Sequence, residues 1–237
     1  MKHLTLTAVS LLAAVGISSA GDVTGKISLK GTPPPEKPLP LDPACGKSRT
    51  DHSLAPAQTR FYVAGKDGGL ADVFVYLKSG LTSKPAVPAT PVTIDQKGCE
   101  YTPYVSGAMV GQKILITTSD PVLHNVHPTP TVAGNKEFNK AQLPKGPALE
   151  FSWDNAEVLL RFKCDVHPWM FAYVGLVEHP YFAVTGADGS FKIADVPPGK
   201  YVVEAVHRKT GKPLTQEVTV GADGAKADFT IEVPAAQ

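Results

Sequence analysis

The stretch Val-Leu-Leu-Arg-Phe-Lys-Cys-Asp-Val-His-Pro-Trp-Met, residues 158–170, joins a strand-like run to a loop rich in metal-binding side chains. Its apolar start is typical of a buried β-strand. A thiol at Cys164, an imidazole at His167 and a thioether at Met170 then follow at intervals of three residues. A single Cys or Met is usually a core residue, but a tight loop after a strand can turn three side chains toward one point. We interpret this loop as part of a metal site.

The donor types of this loop indicate copper. Thiolate and thioether ligands select copper, and a trigonal set of two imidazoles and one thiolate with a distant axial Met is the blue-copper arrangement. A second imidazole is therefore needed. His124, in the run Asp-Pro-Val-Leu-His-Asn-Val-His, is the candidate. We predict one copper ion bound by His124, Cys164, His167 and Met170.

The two ligand-bearing segments resemble the cupredoxins, the type 1 or blue copper proteins, and are most similar to amicyanin-like members. The resemblance rests on Leu-His-Asn-Val-His (123–127), on Cys-Asp-Val-His-Pro-Trp-Met (164–170), and on their order and separation. It covers roughly residues 91–179. For this part of the chain it implies a Greek-key β-barrel or sandwich with the same four ligands.

The resemblance also implies roles for residues beside the ligands. Asn125 falls where the family has an Asn that steadies the ligand loop. The family presents the ring edge of its C-terminal ligand His at the surface, which is His167 here, and Pro168 and Trp169 would then form the docking face for protein partners. By resemblance, those partners are a dehydrogenase-like electron donor and a c-type cytochrome acceptor. Alternatively, Trp169 packs inward as part of the core.

The first 20 residues are typical of a secretory signal peptide, with a basic start, an apolar middle and small residues before Gly21. We therefore expect a periplasmic or secreted protein without a membrane span. Outside the cell, an odd number of cysteines usually leaves one thiol for another purpose. With Cys164 assigned to the metal, we expect a disulfide between Cys45 and Cys99, the alternative being two unpaired buried thiols.

Composition and local patterns predict an all-β fold. Proline and glycine together number 43, and no sustained helical periodicity is present. Two segments near the C-terminal end are similar to a carboxypeptidase regulatory-like, transthyretin-type β-sandwich, namely Thr185-Gly-Ala-Asp-Gly-Ser-Phe and Asp195-Val-Pro-Pro-Gly-Lys-Tyr. The usual first half of such a sandwich looks present at residues 21–81. Either one sandwich is split by the copper domain, or an N-terminal extension packs on the cupredoxin barrel. The predicted units are a signal peptide (1–20), an N-terminal β segment (21–85), a cupredoxin domain (86–179) and a carboxypeptidase regulatory-like β-sandwich (180–237).

These features together predict an exported carrier of single electrons rather than an enzyme. Without the leader, 22 basic residues face 22 acidic ones, so nothing favours nucleic acid. Six histidines would remain, too few for a type 1 site together with the trinuclear cluster of a multicopper oxidase. Two alternatives stay open at this point. One is a periplasmic copper chaperone or storage protein, and the other is an envelope binding module with a non-redox copper site.

Overall fold

The computed structural model describes residues 19–49, 54–210 and 212–234. The predicted signal peptide lies outside them except for its last two residues. The described chain contains one short helix, α1 (Pro43–Ser48), and is otherwise built of strands, so the predicted all-β class is confirmed. The strands are β1 Gly21–Lys30, β2 Phe74–Ser79, β3 Val92–Gln96, β4 Tyr101–Thr102, β5 Val105–Met109, β6 Ile114–Thr118, β7 His124–Thr129, β8 Lys140–Gln142, β9 Leu149–Phe151, β10 Glu157–Lys163, β11 Phe171–Val177, β12 Phe182–Val184, β13 Ser190–Val196, β14 Gly199–Val206, β15 Leu214–Val220, β16 Ala225–Lys226 and β17 Phe229–Glu232.

Strands from the two ends of the chain form one two-sheet unit, which we call the flanking sandwich. In one sheet β1 pairs antiparallel with β13 and parallel with β16 and β17. The other sheet has the order β12-β2-β14-β15. Apolar residues from both ends of the chain share its core, among them Val23, Ile27, Val75, Val203 and Ile231. This pairing is what one sandwich interrupted by an intervening segment requires, while the domain boundaries stay predictions.

The middle of the chain forms a second sandwich, here the central sandwich. Its sheets have the strand orders β5-β11-β10-β7-β8 and β4-β3-β6-β9. In β6 the period-two pattern of a strand buries Ile114 and Ile116 on one face. These residues pack with Leu160, Phe162 and Val174 in a core separate from that of the flanking sandwich.

The two sandwiches meet at an aromatic contact that requires glycine. Phe74 of β2 is fully buried and packs against Phe182 of β12, with ring centroids 5.6 Å apart. Gly175 of β11 faces Phe74, and Gly107 of β5 faces Phe182. A Cβ atom at either glycine would clash with these rings. The missing side chains therefore let two strands of the central sandwich approach the flanking one closely.

A disulfide fastens α1 to the central sandwich. Cys45 and Cys99 are bonded, both are fully buried, and the predicted pairing is thereby confirmed. Asp42 caps the helix, since its side chain accepts a hydrogen bond from the Cys45 N–H at 2.7 Å. The cap and the disulfide together fix the segment that covers the candidate metal centre.

Among the described residues there is no helix of the length and apolarity needed to cross a membrane.

Candidate metal centre

Two neighbouring strands bring the predicted ligands together. β7 begins at His124 and runs antiparallel to β10, which ends one residue before Cys164. The start of one strand therefore lies beside the end of the other. His167 and Met170 follow in the loop to β11, which the Met170 N–H closes by donating to the His167 carbonyl at 2.9 Å. Hydrogen bonds within the loop thus hold its donors on the side of His124.

Three donor atoms face one another across a space that suits a metal ion. Nδ1 of His124 lies 3.0 Å from Nδ1 of His167. The Cys164 Sγ lies 3.9 Å from the first nitrogen and 3.7 Å from the second. The point equidistant from the corners of this triangle is about 2.1 Å from each, close to the metal–imidazole distance of about 2.0–2.1 Å known for zinc. The donor set and its spacing therefore fit a copper ion.

The centre is buried, and Cys164 and His124 influence each other's pKa. His124, Cys164, His167 and Met170 are each no more than 3% exposed. Burial raises the pKa of the Cys164 thiol, but the hydrogen bonds that it receives from His124 and from backbone N–H groups lower that pKa below its usual value overall. Burial likewise opposes protonation of His124, yet Asp120 and Cys164 raise the pKa of this imidazole to about 9. The hydrogen bonds around Cys164 thus ease loss of its proton, and the thiolate is the form that binds metals.

Asp120 contacts a predicted ligand, and the sequence prediction missed it. Its Oδ2 lies 3.0 Å from His124 Nε2, on the side of the ring away from the other donors. Asp120 is 2% exposed and also accepts hydrogen bonds from the backbone N–H groups of Gly98 and Cys99 at 2.6 and 2.8 Å. A carboxylate in this position fixes the orientation of a ligand imidazole. The one sequence signal is its place four residues before His124.

Asn125 links the two ligand-bearing segments. Its backbone N–H donates to the Cys164 sulfur at 3.5 Å, and its Oδ1 lies 3.3 Å from the same sulfur. That Oδ1 also accepts from the backbone N–H groups of Asp165 and Val166 at 2.7 and 3.2 Å. Asn125 therefore has the contacts that a residue steadying the ligand loop needs.

The surroundings of His167 differ from the expectation of a ring edge at the surface. His167 is 3% exposed, and its Nε2 lies 3.5 Å from Asp42 Oδ2. The disulfide sulfurs of Cys45 and Cys99 lie within 4.8 Å of a His167 ring nitrogen. The expectation of a surface edge was therefore wrong, because α1 and its disulfide cover the ring.

The two residues predicted to form the docking face have different environments. Pro168 is exposed, whereas Trp169 is half-buried and packs against the central core. The Trp169 indole N–H donates to the Cys99 carbonyl at 3.1 Å, and its ring lies 5.3 Å from that of His167. Trp169 thus combines core contacts with some exposure, and a docking role stays a prediction for both residues.

Comparison with known proteins finds matches among solved structures only. No protein-family model matches the sequence, and no curated protein does. Solved structures that match include the copper-containing nitrite reductase of Thermus scotoductus SA-01, with 20% identity, a TM-score of 0.34, and coverage of 41% of this chain and 24% of the reductase chain. An oxidised amicyanin mutant matches with 18% identity and a TM-score of 0.33, over 43% of this chain and 97% of its own. A reduced amicyanin mutant matches over the same shares with 19% identity and a TM-score of 0.34.

These matches carry no inference about ligand, activity or partner. This chain spans about a quarter of the length of the nitrite reductase. The central part of this chain is a β-sandwich of two sheets. The carboxypeptidase regulatory-like resemblance of the flanking strands stays a prediction.

Proposed function

We propose that this protein holds a single copper ion at His124, Cys164, His167 and Met170 and carries single electrons between redox partners. The observation that supports the proposal best is the triangle of two imidazole nitrogens and one sulfur, 3.0–3.9 Å apart and almost completely buried. Bound copper would supply a one-electron couple at this point.

The residues around the donors limit their movement. Asp120 holds the Nε2 edge of the His124 imidazole, and Asn125 holds the Cys164 loop. The Tyr101 hydroxyl lies 3.3 Å from both the Asn125 and the Lys163 carbonyl oxygens, so it bridges the two ligand segments. A centre that changes oxidation state with little rearrangement needs such support, since outer contacts orient the ligands.

Met170 would complete the site as a weak axial ligand. It is 1% exposed, and its backbone carbonyl accepts a hydrogen bond from the Cys164 N–H at 3.3 Å. In trigonal sites of this kind the axial ligand and the apolar surroundings tune the redox potential. We therefore assign Met170 to setting the potential rather than to holding the metal.

The features of the chain favour redox proteins as partners and an oxidising compartment as location. The disulfide between Cys45 and Cys99 is typical of periplasmic or secreted proteins. Large apolar residues next to the ligands are exposed, with Leu123 at 44% and Val166 at 50%. Together with Pro168, they would give the small apolar patch that a transient redox encounter uses. A dehydrogenase-like donor and a c-type cytochrome acceptor are the partners that we propose.

Voltammetry of the copper-loaded protein tests this function. We expect a reversible one-electron wave with copper retained in both oxidation states, even when a cuprous chelator is present. Met170→Leu should keep the copper and raise the potential, because a weak axial donor is lost while the trigonal donors stay. Release of copper to the chelator on reduction would instead indicate a chaperone or storage protein. Absence of copper uptake would favour an envelope binding module.

A further inference from the structure

A cavity of about 290 Å³ lies beside the candidate metal centre, between the segment before β2, the start of β11 and the end of β14. Aromatic side chains make up much of its wall, namely Phe61, Tyr101, Tyr104, Trp169 and Phe171. Met170 also lines it. Ligand pockets are mostly apolar and contain a few placed polar groups. At this size, the cavity suits a molecule of one or two rings.

Among the described charged groups that line this cavity, one cation has no carboxylate partner. Arg60 lines the cavity but is paired with Asp72, at 2.7 Å. Glu100 also lines it and is paired with Arg49, at 2.6 Å. The remaining charged group in the cavity wall is the guanidinium of Arg208.

Arg208 lies within ion-pair distance of no carboxylate among the described residues. One of its terminal nitrogens donates to the Arg60 carbonyl at 2.8 Å, whereas its Nε is buried without a hydrogen-bond partner in the described part of the chain. A buried donor left unpaired is costly. A carboxylate would neutralise this guanidinium and offer it acceptors.

Aromatic rings surround the Arg208 guanidinium. It lies 5.4 Å from the ring centre of Tyr104, 5.6 Å from that of Phe61 and 5.7 Å from that of Tyr173. These contacts hold a planar, weakly hydrated cation in place. A guanidinium held in this way presents a fork that matches the two oxygens of a carboxylate, while the rings beside it suit a flat apolar body.

We propose that this cavity binds a planar aromatic carboxylate of one or two rings, with the anionic group on Arg208 and the rings among Phe61, Tyr104 and Trp169. The site does not depend on copper, since none of these residues is a candidate ligand. Because Met170 and Trp169 line the cavity, its occupant would contact the loop of the candidate metal centre.

The two tryptophans of the chain supply an internal test by nuclear magnetic resonance. The Trp169 indole is at the cavity, whereas Trp153 is buried in the central core and its indole N–H donates to the Lys136 carbonyl. The full chain, metal-free and again with cuprous ion bound, is titrated with benzoate and 2-naphthoate. Both forms should show saturable movement of the Trp169 indole signal, with the Trp153 signal unchanged. The neutral amides, benzamide and 2-naphthamide, should bind about tenfold more weakly or worse, because they lack the charge.

Arg208 variants separate recognition of the anion from a general effect of charge. Arg208→Gln should weaken binding of 2-naphthoate by about tenfold or more, and Arg208→Lys by less, since lysine keeps the charge but lacks the fork. Lys66→Gln removes an exposed cation that does not line the cavity and should leave the affinity unchanged. An unshifted Trp153 signal shows that each variant is folded.

Three results would overturn the proposal. They are a Trp169 signal that does not respond to either carboxylate, amides that bind as tightly as carboxylates, and an Arg208→Gln variant with unchanged affinity. The first two are measured on the unaltered chain, so they decide the matter even if the variant does not fold. If the metal-free protein binds the carboxylates but takes up no copper, the proposed electron-transfer function is wrong and the proposed carboxylate site is supported.

Discussion

Two buried histidines, one in each sandwich, show how differently the two regions use the same side chain. His124 in the central sandwich has a carboxylate on one ring nitrogen and faces a sulfur and a second imidazole with the other. His207 lies just after β14 in the flanking sandwich, 3% exposed, and stacks on Tyr62 with ring centroids 5.2 Å apart. Its Nδ1 has no hydrogen-bond partner among the described residues.

The pKa values of these two histidines are shifted in opposite directions. Burial, together with the charges of Arg208 and Lys209, lowers the pKa of His207 to about 4. Burial also acts on His124, but Asp120 and Cys164 outweigh it and the pKa rises. Burial without a carboxylate therefore gives a neutral core histidine, while burial beside a carboxylate gives an imidazole of fixed orientation. Variants of the disulfide, His207, Asp120 and Asp42 test this contrast.

Removal of the disulfide should have the largest effect on stability. Cys45→Ala combined with Cys99→Ala removes a bridge over a sequence separation of 54 and should lower the free energy of unfolding by about 2–5 kcal/mol. Chemical denaturation of the metal-free protein measures this. Thiol counting provides the control, since the unaltered denatured chain should show one free thiol before reduction and three after it. Unchanged stability would mean that the bridge does not restrain the cover over His167.

His207 should make the protein sensitive to acid. A histidine that has a pKa of about 4 when folded and about 6.5 when unfolded takes up its proton more readily in the unfolded chain. The free energy of unfolding should therefore fall by about 3 kcal/mol as the pH drops from about 6.5 to 4. Above that range His207 should contribute no pH dependence. Unfolding measured at a series of pH values checks this. His207→Phe keeps a ring beside Tyr62 and should flatten the curve, and an equally steep curve in that variant would contradict the assignment.

The carboxylate behind His124 should matter for metal affinity. Asp120→Asn keeps the size of the side chain but loses the charge behind the ligand ring, and should lower copper affinity about 10–100-fold. Competition with a chelator measures the change. Asp154→Asn, at an exposed position outside the site, is the matched control and should bind as the unaltered protein does. Equal affinities in the two variants would remove Asp120 from the site.

Asp42 offers the smallest and most selective change. Asp42→Ala loses the cap of α1 and should cost about 1 kcal/mol of stability, whereas Asp42→Asn keeps a capping side chain and should cost a few tenths. Both variants remove the charge 3.5 Å from His167 Nε2. Thermal unfolding of the pair separates capping from charge. Equal losses in the two variants would show that the charge, and not the cap, holds the cover.

What the sequence predicted well was local or could be counted. The donors of the ligand loop lie within seven residues, so their spacing indicated that Cys164 and His167 could face one point, as they do, while copper binding stays a prediction. The odd number of cysteines led to the Cys45–Cys99 pairing. The alternating and turn-rich pattern indicated strands, and the all-β class followed from it.

What the sequence did not show depends on segments that meet only in the folded chain. Asp42 reaches His167 from a position 125 residues away in sequence, and no local pattern encodes that approach. The same contact explains why the expected exposed edge is buried. Asp120 is close to His124 in sequence, but an Asp before a Pro is equally typical of an ordinary turn. Trp169 is half-buried, between a fully exposed docking residue and a fully buried core residue. The sequence does not determine this degree of burial.

Binding of one copper ion by the nitrogens of His124 and His167 and the Cys164 sulfur is measured by titrating the metal-free protein with cupric ion and recording its visible absorption. We predict an intense thiolate-to-copper band that saturates at one equivalent and is absent from a folded Cys164→Ser variant. A band that survives in Cys164→Ser, or an unaltered protein that takes up copper without the band, would contradict the account.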